Sequence, residues 1–140
     1  GGIVSRRAVD KRAREMVQQL DIRPADTARK ARFLSGGNQQ KTVLGRSLAA
    51  KAQVFILDEP TVGVDIGAKT EIYRLVSHLA EEGRAVVVSS NDPAEILGLC
   101  DRVLVVVRGE IVSEHRSADL TRDELIERMT GSVMEGAVGV

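Results

Sequence analysis

Cysteine, aromatic rings and net charge are all scarce in this chain of 140 residues. Cys100 is the only cysteine, so no intramolecular disulfide can form and nothing points to an oxidising compartment. Within Leu97-Gly98-Leu99-Cys100 it is expected to be a buried, structural thiol. Phe33, Phe55 and Tyr73 supply the 2% of aromatic residues, which removes the base-stacking platform of single-strand-binding proteins. Lys plus Arg and Asp plus Glu number 20 each, a balance that argues against a nucleic-acid partner. No apolar run approaches the ~20 residues needed to span a bilayer. Gly1-Gly2-Ile3-Val4 has no signal-peptide core. A soluble, cytoplasmic protein is expected, with any membrane role reached through a partner. His78 and His115 are far apart and, with one cysteine, form no metal-ligand spacing; both are expected at the surface. No Ser-His-Asp or Cys-His arrangement stands out.

What is present is ordinary globular material: 43% apolar and 29% charged residues over a length that suits one domain. Basic residues gather at Arg6, Arg7, Lys11, Arg12 and Arg14, then at Arg29, Lys30 and Arg32, and are expected on a solvated helical face. Val9, Ala13, Met16, Val17 and Leu20 recur at helical spacing, predicting a helix from about Val9 to Leu20 that Ile22-Arg23-Pro24 ends. A second helix is predicted from just after Ser35-Gly36-Gly37 to about Ala50, with Val43, Leu44, Ser47 and Leu48 inward. Val54-Phe55-Ile56-Leu57 and Ala85-Val86-Val87-Val88-Ser89 are continuous apolar runs of the kind found in parallel strands buried on both faces. Between them a helix is predicted from about Ala68 to Glu82, stopped by Gly83. Asp92-Pro93 opens a short helix, and two strands flank Arg108-Gly109. Thr121-Arg122-Asp123-Glu124 reads as a capping box before a last helix to Met129. The alternation of strands and helices predicts an α/β fold with a mostly parallel sheet.

Two motifs carry chemistry. Ser35-Gly36-Gly37 at the start of a helix places free N–H groups and the positive end of the helix dipole where a terminal phosphate could bind, with the Ser35 hydroxyl as a further donor. Seventeen residues past the end of Leu34-Ser35-Gly36-Gly37-Asn38-Gln39-Gln40-Lys41, the apolar run closes on Asp58-Glu59-Pro60-Thr61. In nucleotide hydrolases an Asp at the end of a buried strand holds Mg²⁺, and a neighbouring Glu orients the attacking water. The phosphate-cradling Gly-x-x-x-x-Gly-Lys-Ser/Thr loop that should precede both is missing.

Leu34-Ser35-Gly36-Gly37 resembles the signature loop of the ATP-binding-cassette (ABC) ATPases, and Ile56-Leu57-Asp58-Glu59-Pro60-Thr61 their Walker B motif. Val62-Gly63-Val64-Asp65 falls where that family has its D-loop. The longer strings Ser35 to Lys41, Gly63 to Lys69 and Leu97 to Val105 are similar to the second nucleotide-binding domain of bacterial monosaccharide importers of the ribose, galactose and xylose type. The likeness runs from about Val9 to Gly131.

The resemblance implies the C-terminal part of a P-loop NTPase domain, with a partial helical signature subdomain at 1–42, a partial ATPase core at 43–131 and a flexible tail at 132–140. It implies ATP contacts by Ser35, Gly36, Gly37, Asn38 and Gln39, Mg²⁺ at Asp58, catalysis by Glu59 and an interface role for Asp65. It further implies a first nucleotide-binding domain in the same full-length protein, permease subunits in the membrane, a periplasmic sugar-binding protein, and a place at the inner face of the bacterial membrane. Three departures stand against this pattern. The phosphate loop would lie upstream of Gly1; Ser90 stands at the switch position where the family has His; and Val62 stands where the sugar importers have Arg. Ser90 implies a weak or silent site on this domain's own side, and a sheet deprived of its phosphate-loop strand is expected to pair with another copy. The rival expectations are a soluble ABC protein acting on nucleic acid or ribosomes, and a non-catalytic interaction module.

Overall fold

The computed structural model describes residues 5–130, so the tail expected at 132–140 lies outside the described residues. The chain divides into two compact units, the first ending at Val87 and the second beginning at Val88. Residues 40–45, where the sequence suggests a boundary, lie inside a continuous helix.

The first unit opens with α1 (Arg6–Gln19), capped by Ser5, whose hydroxyl accepts from the Ala8 N–H at 3.4 Å. Met16 is buried on it, whereas Val9, expected on the inner face, is exposed. The helix stops before Pro24 can act: Leu20 is the cap, Asp21 turns at φ 46°, and the Ile22 N–H donates to Val17 O at 2.9 Å. A single 3₁₀ turn at Ala31–Phe33 leads to α2 (Gly36–Ala49). Its buried stripe is Gly37, Lys41, Leu44, Gly45 and Leu48, a spacing of four, three, one and three that defines one face. Val43, predicted inward, falls off that stripe and is exposed. At Gly45 an added Cβ would meet Leu20 Cδ1 at 2.9 Å, so this glycine lets α1 and α2 approach.

Next come β1 (Val54–Asp58), α3 (Ile66–Glu81) and β2 (Ala85–Ser89), the strand–helix–strand crossover of a parallel pair. Asp65 caps α3 by accepting from the Ala68 N–H at 2.9 Å, and Gly83 closes it at φ +82°. Ile72, Val76 and Leu79 form its buried face with Leu44 and Leu48 of α2 among the core residues. The strands depart from the expectation of burial on both faces. In β1 Phe55 and Leu57 are buried while Val54 and Ile56 are 60% and 77% exposed, and in β2 Val87 is 55% exposed. A two-stranded sheet covered on one side buries only alternate residues, however apolar the run.

The second unit holds α4 (Pro93–Leu99), β3 (Arg102–Val107), β4 (Glu110–Arg116) and α5 (Arg122–Met129). Asp92 caps α4 with Pro93 in its first turn. β3 and β4 pair antiparallel through Arg108 (φ 52°) and Gly109 (φ +86°), the two positive angles that a tight hairpin turn of matching twist requires. Ile96, Val103, Val105 and Leu125 make its core, with Cys100 half-buried against it. Ser113 and His115 sit opposite Val105 and Val103, on the core-facing side. His115 is therefore half-buried, with Nε2 buried and unpartnered, rather than at the surface. His78 is exposed, between Glu81 and Glu82. Thr121 and Glu124 form the expected capping box.

Candidate nucleotide-contacting site

A helix starts at Gly36 with Ser35 at its N-cap, as the sequence predicts, and its first two glycines serve the protein's own packing. An added Cβ at Gly36 would lie 2.9 Å from Gly63 O, and one at Gly37 only 2.5 Å from Ala68 Cβ. The two glycines let the helix start press against the 63–65 loop and the first turn of α3. Sequence reasoning expects glycines there for the approach of a ligand; the structure shows that they also give room to the chain's own packing.

Ser35 stands at the N-cap without capping the helix through its side chain. Its Oγ instead accepts from Asn38 Nδ2 at 2.8 Å, which leaves the hydroxyl hydrogen free to donate elsewhere. Asn38 is held in turn, its Oδ1 accepting from the Arg23 N–H at 2.9 Å. Gln39 directs its amide to Leu34 O at 2.9 Å, so it braces the loop that precedes the helix. The first intrahelical bond of the turn is the Gln39 N–H to Ser35 O at 2.8 Å, so the N–H groups of Gly36, Gly37 and Asn38 have no acceptor within the helix. Ser35 to Asn38 thus present a hydroxyl and a set of N–H donors, a combination that suits an oxyanion.

Asp58 ends β1 and is exposed, and Glu59 follows at φ 46°, a left-handed backbone that is uncommon for a side chain of this kind. Pro60 and Thr61 behind them are buried. No group of three or more His, Cys, Asp or Glu side chains among the described residues could enclose a metal. Asp58 fits Mg²⁺ only as a single hard carboxylate, the mode in which phosphate oxygens and water complete the shell. Asp65 lies at the junction of the 63–65 loop and α3, in the same unit as Ser35.

Ser90 belongs to the second unit, where its hydroxyl donates to Glu95 Oε2 at 2.5 Å and accepts from the Asp92 N–H at 3.1 Å. Glu95 is 2% exposed. The hydrogen of Ser90 is spent on a buried carboxylate, so the hydroxyl has none left for a phosphate.

Residues 3–62 match the family model described as ABC transporter. A ribose import ATP-binding protein (RbsA 1) of Rubrobacter xylanophilus is 45% identical over 137 residues, which is 98% of this chain and 27% of that protein. The chain is similar to the ABC transporter family. The corresponding Burkholderia ambifaria protein is 48% identical over 127 residues, 89% of this chain and 25% of its own length. The chain thus spans about a quarter of the length of the curated relatives it matches. Among solved structures, the dimeric post-hydrolysis state of the ATP-binding cassette MJ0796 bound to ADP and Pi superposes with a TM-score of 0.69 at 27% identity, over 83% of this chain and 50% of that one. The α/β architecture of this segment is therefore that of an ATPase cassette.

Two features of the chain escaped sequence reasoning. Glu95 is the buried partner of Ser90, and Lys41 is a buried cation paired with Glu71. Lys41 was detectable, because it falls between Gly37 and Leu44 on the inward stripe of α2. An apolar cavity of about 400 Å³ lies between α1, α2 and their connection, lined by Met16, Val17, Leu34 and Ala49 among others, and includes none of the expected site residues. No helix among the described residues is long and apolar enough to cross a membrane.

Proposed function

We propose that this chain is the signature-bearing, C-terminal part of the second nucleotide-binding domain of a monosaccharide import ATPase. The observation that supports this is the first turn of α2, where Asn38 donates to Ser35 Oγ and leaves its hydroxyl hydrogen uncommitted, and where the Gly36–Asn38 N–H groups have no acceptor within the helix. In this reading Ser35, Gly36, Gly37 and Asn38 contact the γ-phosphate of ATP held by a facing domain, and Gln39 steadies the loop. Mg²⁺ supplies charge neutralisation on the nucleotide's phosphates, with Asp58 as its one carboxylate and Glu59 to orient water. Asp65, at the head of α3, faces the partner domain. The family resemblance puts Ser90 at the switch position where His is usual, which implies a weak site on this domain's own side; within the second unit the hydrogen of Ser90 is committed to Glu95.

Closure of the two domains drives permease subunits in the membrane, to which a periplasmic sugar-binding protein delivers the substrate, and the ATPase sits at the cytoplasmic face. The relatives named above, ribose import ATP-binding proteins, support the sugar class. The open apolar face of Val54 and Ile56 supports self-association of isolated copies.

The test is Ser35→Arg in the longer polypeptide that carries this sequence, assembled with its permease. A large side chain at that position blocks the phosphate, so transport-linked ATP hydrolysis is expected to collapse with folding intact. Unchanged hydrolysis defeats the reading.

A further inference from the structure

Lys41 is 6% exposed, and its Nζ meets Glu71 Oε2 at 2.5 Å and donates to Asp21 O at 3.1 Å. Three elements converge on this one ammonium: the turn that closes α1, the second turn of α2 and the second turn of α3. Each helix carries a site element within two turns of the pair. Lys41 lies three residues after Asn38, and Glu71 lies six residues after Asp65. One turn earlier on α2, Gly36 approaches Gly63 and Gly37 approaches Ala68 of α3.

Only the lysine end of the pair is buried, since the Glu71 side chain is 50% exposed, and an ion pair open to water on one side adds little to stability. What the pair adds is direction. Charge-assisted hydrogen bonds fix distance and angle, whereas apolar surfaces tolerate sliding. The same α1–α2 connection ties down the neighbouring turn a second time, through the Arg23 N–H on Asn38 Oδ1.

We propose that Lys41 and Glu71 are positioning residues for the nucleotide-contacting turn. The ion pair sets the position of α2 along α3, and with it the aim of the Ser35 hydroxyl and the Gly36–Asn38 N–H groups relative to the 63–65 loop. The inference rests on the function proposed above. Neither side chain touches nucleotide; both act through the register of two helices. Because the facing domain holds most of the nucleotide, misaligning this turn lowers turnover and leaves apparent affinity for ATP nearly intact.

The experiment compares Lys41→Met, Glu71→Gln, Lys41→Arg and, as a control, Ser35→Arg in the longer polypeptide with its permease, with turnover expressed per folded protein. Lys41→Met and Glu71→Gln are expected to lower kcat by about tenfold or more with KM for ATP within about twofold, and Lys41→Arg to recover most of the loss. Amide exchange of Gln39 and Val64, whose N–H groups are hydrogen-bonded to Ser35 O and Thr61 O, is expected to quicken in Lys41→Met. If Ser35→Arg abolishes turnover while Lys41→Met and Glu71→Gln match the unmodified protein, the positioning role is wrong and the proposed function stands. Unaltered exchange at Gln39 and Val64 in Lys41→Met overturns it as well. If Ser35→Arg is itself without effect, the functional reading fails and takes the positioning role with it.

Discussion

Replacing Gly37 by Ala puts a methyl group where α2 meets α3. The new Cβ would stand 2.5 Å from Ala68 Cβ, whereas carbon atoms in contact rest about 3.5–4.0 Å apart. The helices must therefore separate by about 1 Å locally, an overpacking that costs about 1–3 kcal/mol. Alanine gains up to about 1 kcal/mol over glycine in a helix interior, and less in the first turn, where Gly37 stands. The net expectation is destabilisation by about 1–2 kcal/mol. In a unit of this size each kcal/mol lowers the melting midpoint by about 4–8 °C. Thermal unfolding followed by circular dichroism measures the shift, and a double-mutant cycle with Ala68→Gly assigns it. Removing the Ala68 methyl opens the space that the new one needs, so the double variant should recover at least about 1 kcal/mol relative to the sum of the single changes. Additivity within about 0.5 kcal/mol would refute the argument, since the two methyl groups would then not be in conflict. Gly98→Ala is the contrasting case: it lies in α4 with nothing within 4 Å of an added Cβ, so it should stabilise by about 0.5–1 kcal/mol.

Further outcomes are expected in the second unit. Ser90→Ala removes a donor from buried Glu95 and should cost about 1–3 kcal/mol in chemical denaturation; a change below measurement error would mean that the Ser90–Glu95 bond does not hold that region. Hydrogen bonds from the Thr121 N–H and hydroxyl hold the Glu124 carboxyl below its ordinary value of 4.5, so its contribution is present above pH 4.5 and fades as pH falls through the lowered value. The stability gap between the unmodified chain and Thr121→Ala should thus be constant near about pH 7 and shrink in acid; a gap that widens in acid would reverse the assignment. Burial, aided by the Asp101 and Glu95 carboxylates, pushes the Cys100 thiol above its usual range. Alkylation of the folded chain should therefore be slower than that of the denatured chain by about tenfold or more, and equal rates would exclude this.

The local chemistry of the chain was legible where a few neighbouring residues settle it. Asp92 with Pro93, Thr121 with Glu124, Gly83, and Arg108-Gly109 each close or open an element within one turn, and the structure has them so. The ends of α1 were less legible, because Asp21 adopts a left-handed turn that nothing in its side chain demands and so stops the helix before Pro24 can. The burial of the two apolar runs was misjudged for a different reason. Val54-Phe55-Ile56-Leu57 is apolar throughout, but which residues lose their water depends on what lies over each face of the sheet, and only one face is covered.

The candidate site divides in the same manner. The sequence by itself determined the motif order, the residue types proposed to serve phosphate and metal, and the family likeness, because a hydroxyl, two glycines and paired acids are chemical requirements carried in short strings. Tertiary structure alone decided what those residues lean on. Gly36 and Gly37 make room for Gly63 and Ala68, Ser90 serves Glu95, and Lys41 is locked to Glu71 and Asp21. Those partners lie five to thirty-one residues away along the chain, and proximity at that range comes from how helices and strands pack rather than from the spacing of letters.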